Sequence, residues 1–179
     1  SENPNEIGVI VLESIRDEPP TRVFIEGVRA IADETSAVLV FDEISAGFRM
    51  NTGGAHLLYG MQPDIAVFSK GLGNGFPIAA IIGIDEVMDS AQKSFISSTY
   101  WTDNVGPAAA LAMIKKHREL NVGDHLMAIG QKIQASWKEL AAKNQLEIDV
   151  GGIPPLSHFS FKNNPLVSKA LFIQWMLEQ

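Results

Sequence analysis

The sequence contains no cysteine, which excludes disulfides and thiolate metal sites. Basic residues are few: 14 Lys and Arg stand against 21 Asp and Glu, giving a net charge of −7. A duplex-binding protein carries a basic stripe, and none is found. Lys115, Lys116, His117 and Arg118 do cluster, but Glu119 and Asp124 follow, so the cluster reads as a solvated helix face. Long apolar runs are also missing. The best candidate, Ile78 to Ile84, is far too short to cross a bilayer, and no signal peptide opens the chain. These absences suit a cytoplasmic protein with no nucleic-acid or membrane partner.

What is present suits a globular chain. Its 179 residues, 46% apolar and 20% charged, are enough for one good domain, or one domain and part of another. Ile7 to Leu12, Ala37 to Phe41, Asp64 to Phe68 and Ile78 to Ile84 are short apolar runs without helical period and read as buried strands. Between the first two, Val23, Phe24, Val28, Ile31 and Ala32 recur at helical spacing, so a helix is predicted over 21–34. This alternation argues for an α/β sheet covered on both faces. Farther on, helices are predicted over 107–120 and 123–144, two short strands over 146–150 and 156–161, and a last helix over 166–177.

Two of the strands end in charge. Asp42 and Glu43 close one, and Lys70 closes another. Ligands of open α/β sheets sit at the carboxyl ends of strands, and a charge beside an apolar run is costly unless something pairs it. The plain alternatives are an Asp42–Lys70 salt bridge or solvent exposure at a loop. Gly71, Gly73 and Gly75 follow the lysine and allow close backbone approach. The G-x-G-x-G pattern is weak alone, and it follows the lysine where a phosphate loop precedes it. The histidines at 56, 117, 125 and 158 are scattered without metal-ligand spacing and read as groups at the surface or behind a site. Trp101, Trp137 and Trp175 read as packing residues.

Asp42-Glu43-Ile44-Ser45-Ala46-Gly47-Phe48-Arg49 resembles the Asp-Glu-Val-x-x-Gly-Phe-Arg segment of class III aminotransferases, the ornithine, GABA and glutamate-1-semialdehyde type. Pro63 to Ile78, including Phe68-Ser69-Lys70-Gly71-Leu72-Gly73-Asn74-Gly75, resembles that family's cofactor-lysine segment. Thr99 to Ala110 is a looser match to its phosphate-threonine segment, and Glu13 stands where the family has a glutamate after an apolar strand. The resemblance covers almost the whole chain in the right order.

The resemblance implies the large domain of PLP-dependent transferase fold type I, a mostly parallel α/β sheet flanked by helices. Residues 1–144 would belong to that domain with its long linking helix, and 145–179 would begin a small α+β domain. It implies pyridoxal 5′-phosphate (PLP) as cofactor and transfer of an amino group from a donor to a carbonyl acceptor, or a glutamate-1-semialdehyde type of aminomutase. Lys70 would hold the cofactor and act as base. Asp42 would pair with the ring nitrogen, and Ile44 would press on the ring face if the strand continues, with plain core packing as the alternative. Thr99 would reach a partner subunit's phosphate in a homodimer; capping of the next helix is its plain alternative. Glu13 would lie near substrate or stay a solvent carboxylate. Ser45 departs from the family, many of whose members carry a glutamine there against the ring's phenolic oxygen. Members are substantially longer, so the chain reads as a fragment that binds PLP weakly and is inactive alone, or as a folded module without catalysis.

Overall fold

In the computed structural model, which describes residues 6–97, 99 and 102–179, the apolar runs become one sheet. Strands β1 (Val9–Glu13), β2 (Val38–Asp42), β3 (Ile65–Phe68) and β4 (Ala80–Gly83) lie in that order. The first three are parallel and β4 runs antiparallel to β3. The chain divides into two compact units, Ser1–Asp124 and His125–Gln179.

In the first unit, α1 (Arg22–Thr35) starts where the Thr21 hydroxyl accepts the Phe24 amide at 3.2 Å. It stops at Ser36, which takes a left-handed conformation at φ 54°. Ala32 packs with Leu39 and Phe41 of β2, against Ile10, Leu12, Ile25 and Val28. Arg29 pins the helix further: it meets Asp64 at 3.2 Å, and the same carboxylate oxygen accepts the Leu39 amide at 2.7 Å. A second cluster joins Ala66 and Phe68 of β3 to Ala110, Met113 and Ile114 of α3 (Val105–Glu119). Phe41 and Ala66 are register partners, so both clusters use the same side of the sheet.

The other side carries Val38, Val40, Asp42, Ile65 and Val67, half-buried, beside Val9 and Val11, which are 53% and 63% exposed. Burial of both faces, the expectation from unbroken apolar runs, is therefore met on one face. The α1 stripe can face one side of the sheet alone. A short helix, α2 (Asp85–Met88), follows β4.

The second unit holds most of α4 (Val122–Lys143), the hairpin of β5 (Ile148–Gly151) and β6 (His158–Phe161), and α5 (Pro165–Leu177). Its centre is aromatic: Trp137, Phe161 and Phe172 each meet Phe159 at centroid distances of 5.1 to 5.5 Å. Tilted pairs at that separation contribute beyond their buried area. Gln134 ties α4 to the end of β5 by donating to the Gly152 carbonyl at 2.9 Å.

Candidate active site

Three parallel strands end together at one edge. Glu13 is the register partner of Asp42, and Asp42 is the partner of Val67. Lys70 follows three residues later. Neighbouring strands lie about 4.8 Å apart, so a carboxylate and the turn bearing an amine stand side by side at the edge where α/β sheets bind ligands.

The Asp42 side chain ends its own strand. Its Oδ1 accepts the Ile44 amide at 2.9 Å, a local turn that competes with extended backbone. The strand therefore does not continue to Ile44. The alternation that put Ile44 on the same face as Asp42 stops one residue too early to apply, and Ile44 lies half-buried in the turn.

Glu43 was missed as a separate group. Its amide extends the ladder to the Val67 carbonyl at 2.9 Å, while its side chain is fully buried. The carboxylate accepts the amides of Ala55 and His56, each at 2.9 Å, and His56 Nδ1 at 2.6 Å. A carboxylate only accepts, so His56 Nδ1 carries the proton. Burial alone would raise the Glu43 carboxyl; the bonds from His56 and the two amides outweigh it and hold the group below the usual carboxylate range. The signal was in the sequence: Leu39, Phe41 and Glu43 recur every second residue on the buried side.

Two histidines are buried rather than superficial. His56 is 8% exposed and His117 5%. His117 Nε2 donates to the Phe48 carbonyl at 3.0 Å, and Nδ1 pairs with the Thr52 hydroxyl at 2.8 Å. With both ring nitrogens partnered, burial carries little cost. His117 thereby ties α3 to the loop after β2. That it faces inward also corrects the reading of 115–118 as a uniformly solvated face; Lys115, by contrast, is exposed and 4.0 Å from Glu119.

The loop is tight. Gly47 donates to the Glu43 carbonyl at 2.8 Å, and Phe48, at φ 60°, donates to the Gly53 carbonyl at 2.9 Å. A Cβ on Gly47 would lie 2.6 Å from the Glu43 oxygen and 2.9 Å from the Phe68 ring. Gly47→Ala is expected to destabilise the protein by about 1–3 kcal/mol through overpacking, read as a lower urea midpoint. An unchanged midpoint would mean that the loop relaxes freely.

Lys70 opens a single 3₁₀ turn, Lys70–Leu72, in the left-handed region at φ 43°. Gly71 lets this turn approach the Gly47 carbonyl, which a Cβ there would meet at 3.1 Å. The Lys70 amine is exposed and donates to Ser45 Oγ at 2.7 Å. Among the described residues it forms no ion pair with Asp42. Glu13 is exposed and 3.6 Å from Arg16, a local pair of little energetic weight. Thr99 lies exposed in a turn, and it is Asp103 that accepts the first α3 amide, that of Val105, at 2.9 Å. The structure thus brings Asp42, Ser45 and Lys70 to one edge, with Glu13 on the next strand.

A profile of the family described as aminotransferase class-III matches residues 1–171. The chain belongs to this family. Among curated class III relatives, 3-aminobutyryl-CoA aminotransferase of Cloacimonas acidaminovorans (strain Evry) is 34% identical over 146 residues, covering 81% of this chain and 35% of the relative. The glutamate-1-semialdehyde 2,1-aminomutase of Methanococcoides burtonii is 27% identical over 171 residues, covering 92% of this chain and 40% of its own. Among solved structures, the PLP internal aldimine form of the FumI protein of Sphingopyxis sp. MTA144 superposes with a TM-score of 0.84 at 27% identity, covering 90% of this chain and 40% of that one. The fold is that of the PLP-dependent transferases of type I. The chain thus spans 35 to 40% of the length of these class III proteins.

The donor set fits such a cofactor. An exposed amine held by a hydroxyl, not neutralised by a carboxylate, can attach an aldehyde. A carboxylate on the adjacent strand can hold a protonated ring nitrogen. Among the described residues, no three His, Asp or Glu side chains gather as metal ligands, and no helix is long and apolar enough to cross a membrane.

Proposed function

We propose that this chain is the PLP-carrying part of an aminotransferase that moves an amino group from a small-molecule donor to a carbonyl acceptor. The observation that supports it most is the Lys70 amine, one strand over from Asp42, exposed and bonded to a hydroxyl at 2.7 Å. Bound there, PLP supplies an electron sink that lets the Cα–H bond of an amino compound break heterolytically. Lys70 attaches the cofactor and carries the Cα proton. Asp42 holds the ring nitrogen in its protonated state, and its own orientation is held by the Ile44 amide. Ile44 packs near the ring, and Glu13 faces the substrate side from β1. In a cytoplasmic homodimer, Thr99 reaches the partner's phosphate site.

Incubation with PLP, borohydride reduction and peptide mass analysis should place the added mass on the Lys70 peptide. Mass spread evenly over Lys93, Lys115 and Lys169 would overturn the assignment. An aminomutase is the second reading, because the aminomutase relative matches 92% of this chain. Turnover of an amino donor without any added acceptor would select the mutase.

A further inference from the structure

The partner of the Lys70 amine is Ser45, a residue in the turn that ends the strand of Asp42. Its backbone is held from several sides. The Asp42 carboxylate takes the Ile44 amide at 2.9 Å, and Arg49 Nε donates to the Ser45 carbonyl at 3.3 Å. Gly47 donates to the Glu43 carbonyl at 2.8 Å across the same turn. A serine side chain has one heavy-atom torsion with three staggered positions. With its backbone fixed, Ser45 therefore offers its hydroxyl from a small set of places.

The lysine comes to it by an equally constrained route. Lys70 adopts φ 43°, and Gly71 seats its turn against the Gly47 carbonyl. A long, rotamer-rich side chain is thus met at its tip by one short rigid group, 25 residues away in sequence, at 2.7 Å. Such a contact restricts the torsions of the lysine, which loses more entropy on ordering than any short side chain.

The chemistry of the partner matters. A carboxylate in this place would hold the amine as a fixed ammonium ion. A hydroxyl accepts an N–H from the ammonium and can equally donate to the lone pair of the free amine. It orients the nitrogen in both protonation states and ties it to neither. We infer that Ser45 is a positioning residue for Lys70, holding its amine ready for attachment of an aldehyde cofactor. This rests on the reading of Lys70 as the cofactor lysine.

The test is the rate of PLP attachment at Lys70, followed by borohydride quenching at timed intervals and peptide mass analysis. Ser45→Ala should attach at Lys70 about tenfold more slowly, the loss of one hydrogen bond to a charged donor. Ser45→Thr, which keeps the hydroxyl, should restore most of the rate. Labelling of exposed Lys115 in the same digests should not change between variants, nor should the urea midpoint. A purely structural serine would lower the midpoint and leave the Lys70 rate of the folded protein alone. Equal Lys70 rates in the native chain and Ser45→Ala would overturn the positioning role. Absence of Lys70 labelling in the native chain would instead overturn the underlying assignment of the cofactor lysine.

Discussion

Replacing Glu43 with alanine is expected to cost about 3–5 kcal/mol of folding stability. Its carboxylate is fully buried and serves three donors: the Ala55 amide, the His56 amide and His56 Nδ1. Alanine leaves all three without the acceptor they share. A domain of ordinary stability has about 5–15 kcal/mol in hand, so the variant should unfold at much lower urea or fail to accumulate. Glu43→Gln keeps the volume but turns an amide N–H₂ towards groups that themselves donate, so it should also be strongly destabilised. His56→Ala removes one donor and leaves the two amide bonds, and should cost less. A Glu43→Ala midpoint within experimental error of the native one would show that this buried cluster contributes nothing to stability.

The same group makes a signed prediction for pH. The Glu43 carboxyl is held below its ordinary value by the His56 and amide bonds. Its stabilising contribution is therefore complete above the ordinary carboxylate range, near pH 4.3. It is lost as pH falls through that value towards the lower folded one. Urea midpoints measured downward from pH 6 should decline for the native chain. The decline should be shallower in Glu43→Gln, whose side chain does not titrate.

Lys70→Ala is expected to have the largest chemical effect. On the proposed function it removes both the atom that would attach the cofactor and the base that would stand next to the reacting carbon. Reducible PLP attachment at this site should vanish. In an amino-donor half-reaction followed by absorbance, the loss of the Cα proton should slow about 10²–10⁴-fold, the usual contribution of a positioned base. Lys70→Arg should fare no better, because a guanidinium stays protonated and cannot act as nucleophile or base. The left-handed backbone at this position, φ 43°, is uncommon for a residue with a side chain. Neither variant removes that strain, so both should keep a urea midpoint near the native one and report on chemistry alone. Stoichiometric, reducible PLP on Lys70→Ala would show that the reactive amine is elsewhere.

Most elements of the fold were legible in the chain because their causes are local. The 3.6-residue recurrence of Val28, Ile31 and Ala32 and the apolar run ending at Phe41 need only neighbours in sequence to be recognised. Even the ends came within a residue or two, since Thr21 caps α1 through its own hydroxyl. What escaped was shorter or less regular. The 3₁₀ turn at Lys70–Leu72 sits where the apolar run suggested that the strand ends in a loop. Its hydrogen bonds, from Gly73 and Asn74 to the Lys70 carbonyl, depend on a backbone conformation that no periodicity announces. Ile44 falls outside the strand for a related reason: the Asp42 side chain accepts the Ile44 amide, a local turn that no periodicity announces.

The sequence by itself determined the order of strands and helices, the family, and which acidic and basic residues close the strands, because pattern and motif are properties of neighbours along the chain. Only the tertiary structure decided what those residues touch. It sent Lys70 to Ser45 rather than to Asp42, drew Glu43 beneath the sheet edge to meet His56, and turned His117 inward onto the Phe48 carbonyl. The physical reason is that each contact closes a loop between distant positions. Whether it forms is settled by how closely backbones can approach at Gly47 and Gly71 and by the need to satisfy every polar atom taken out of water.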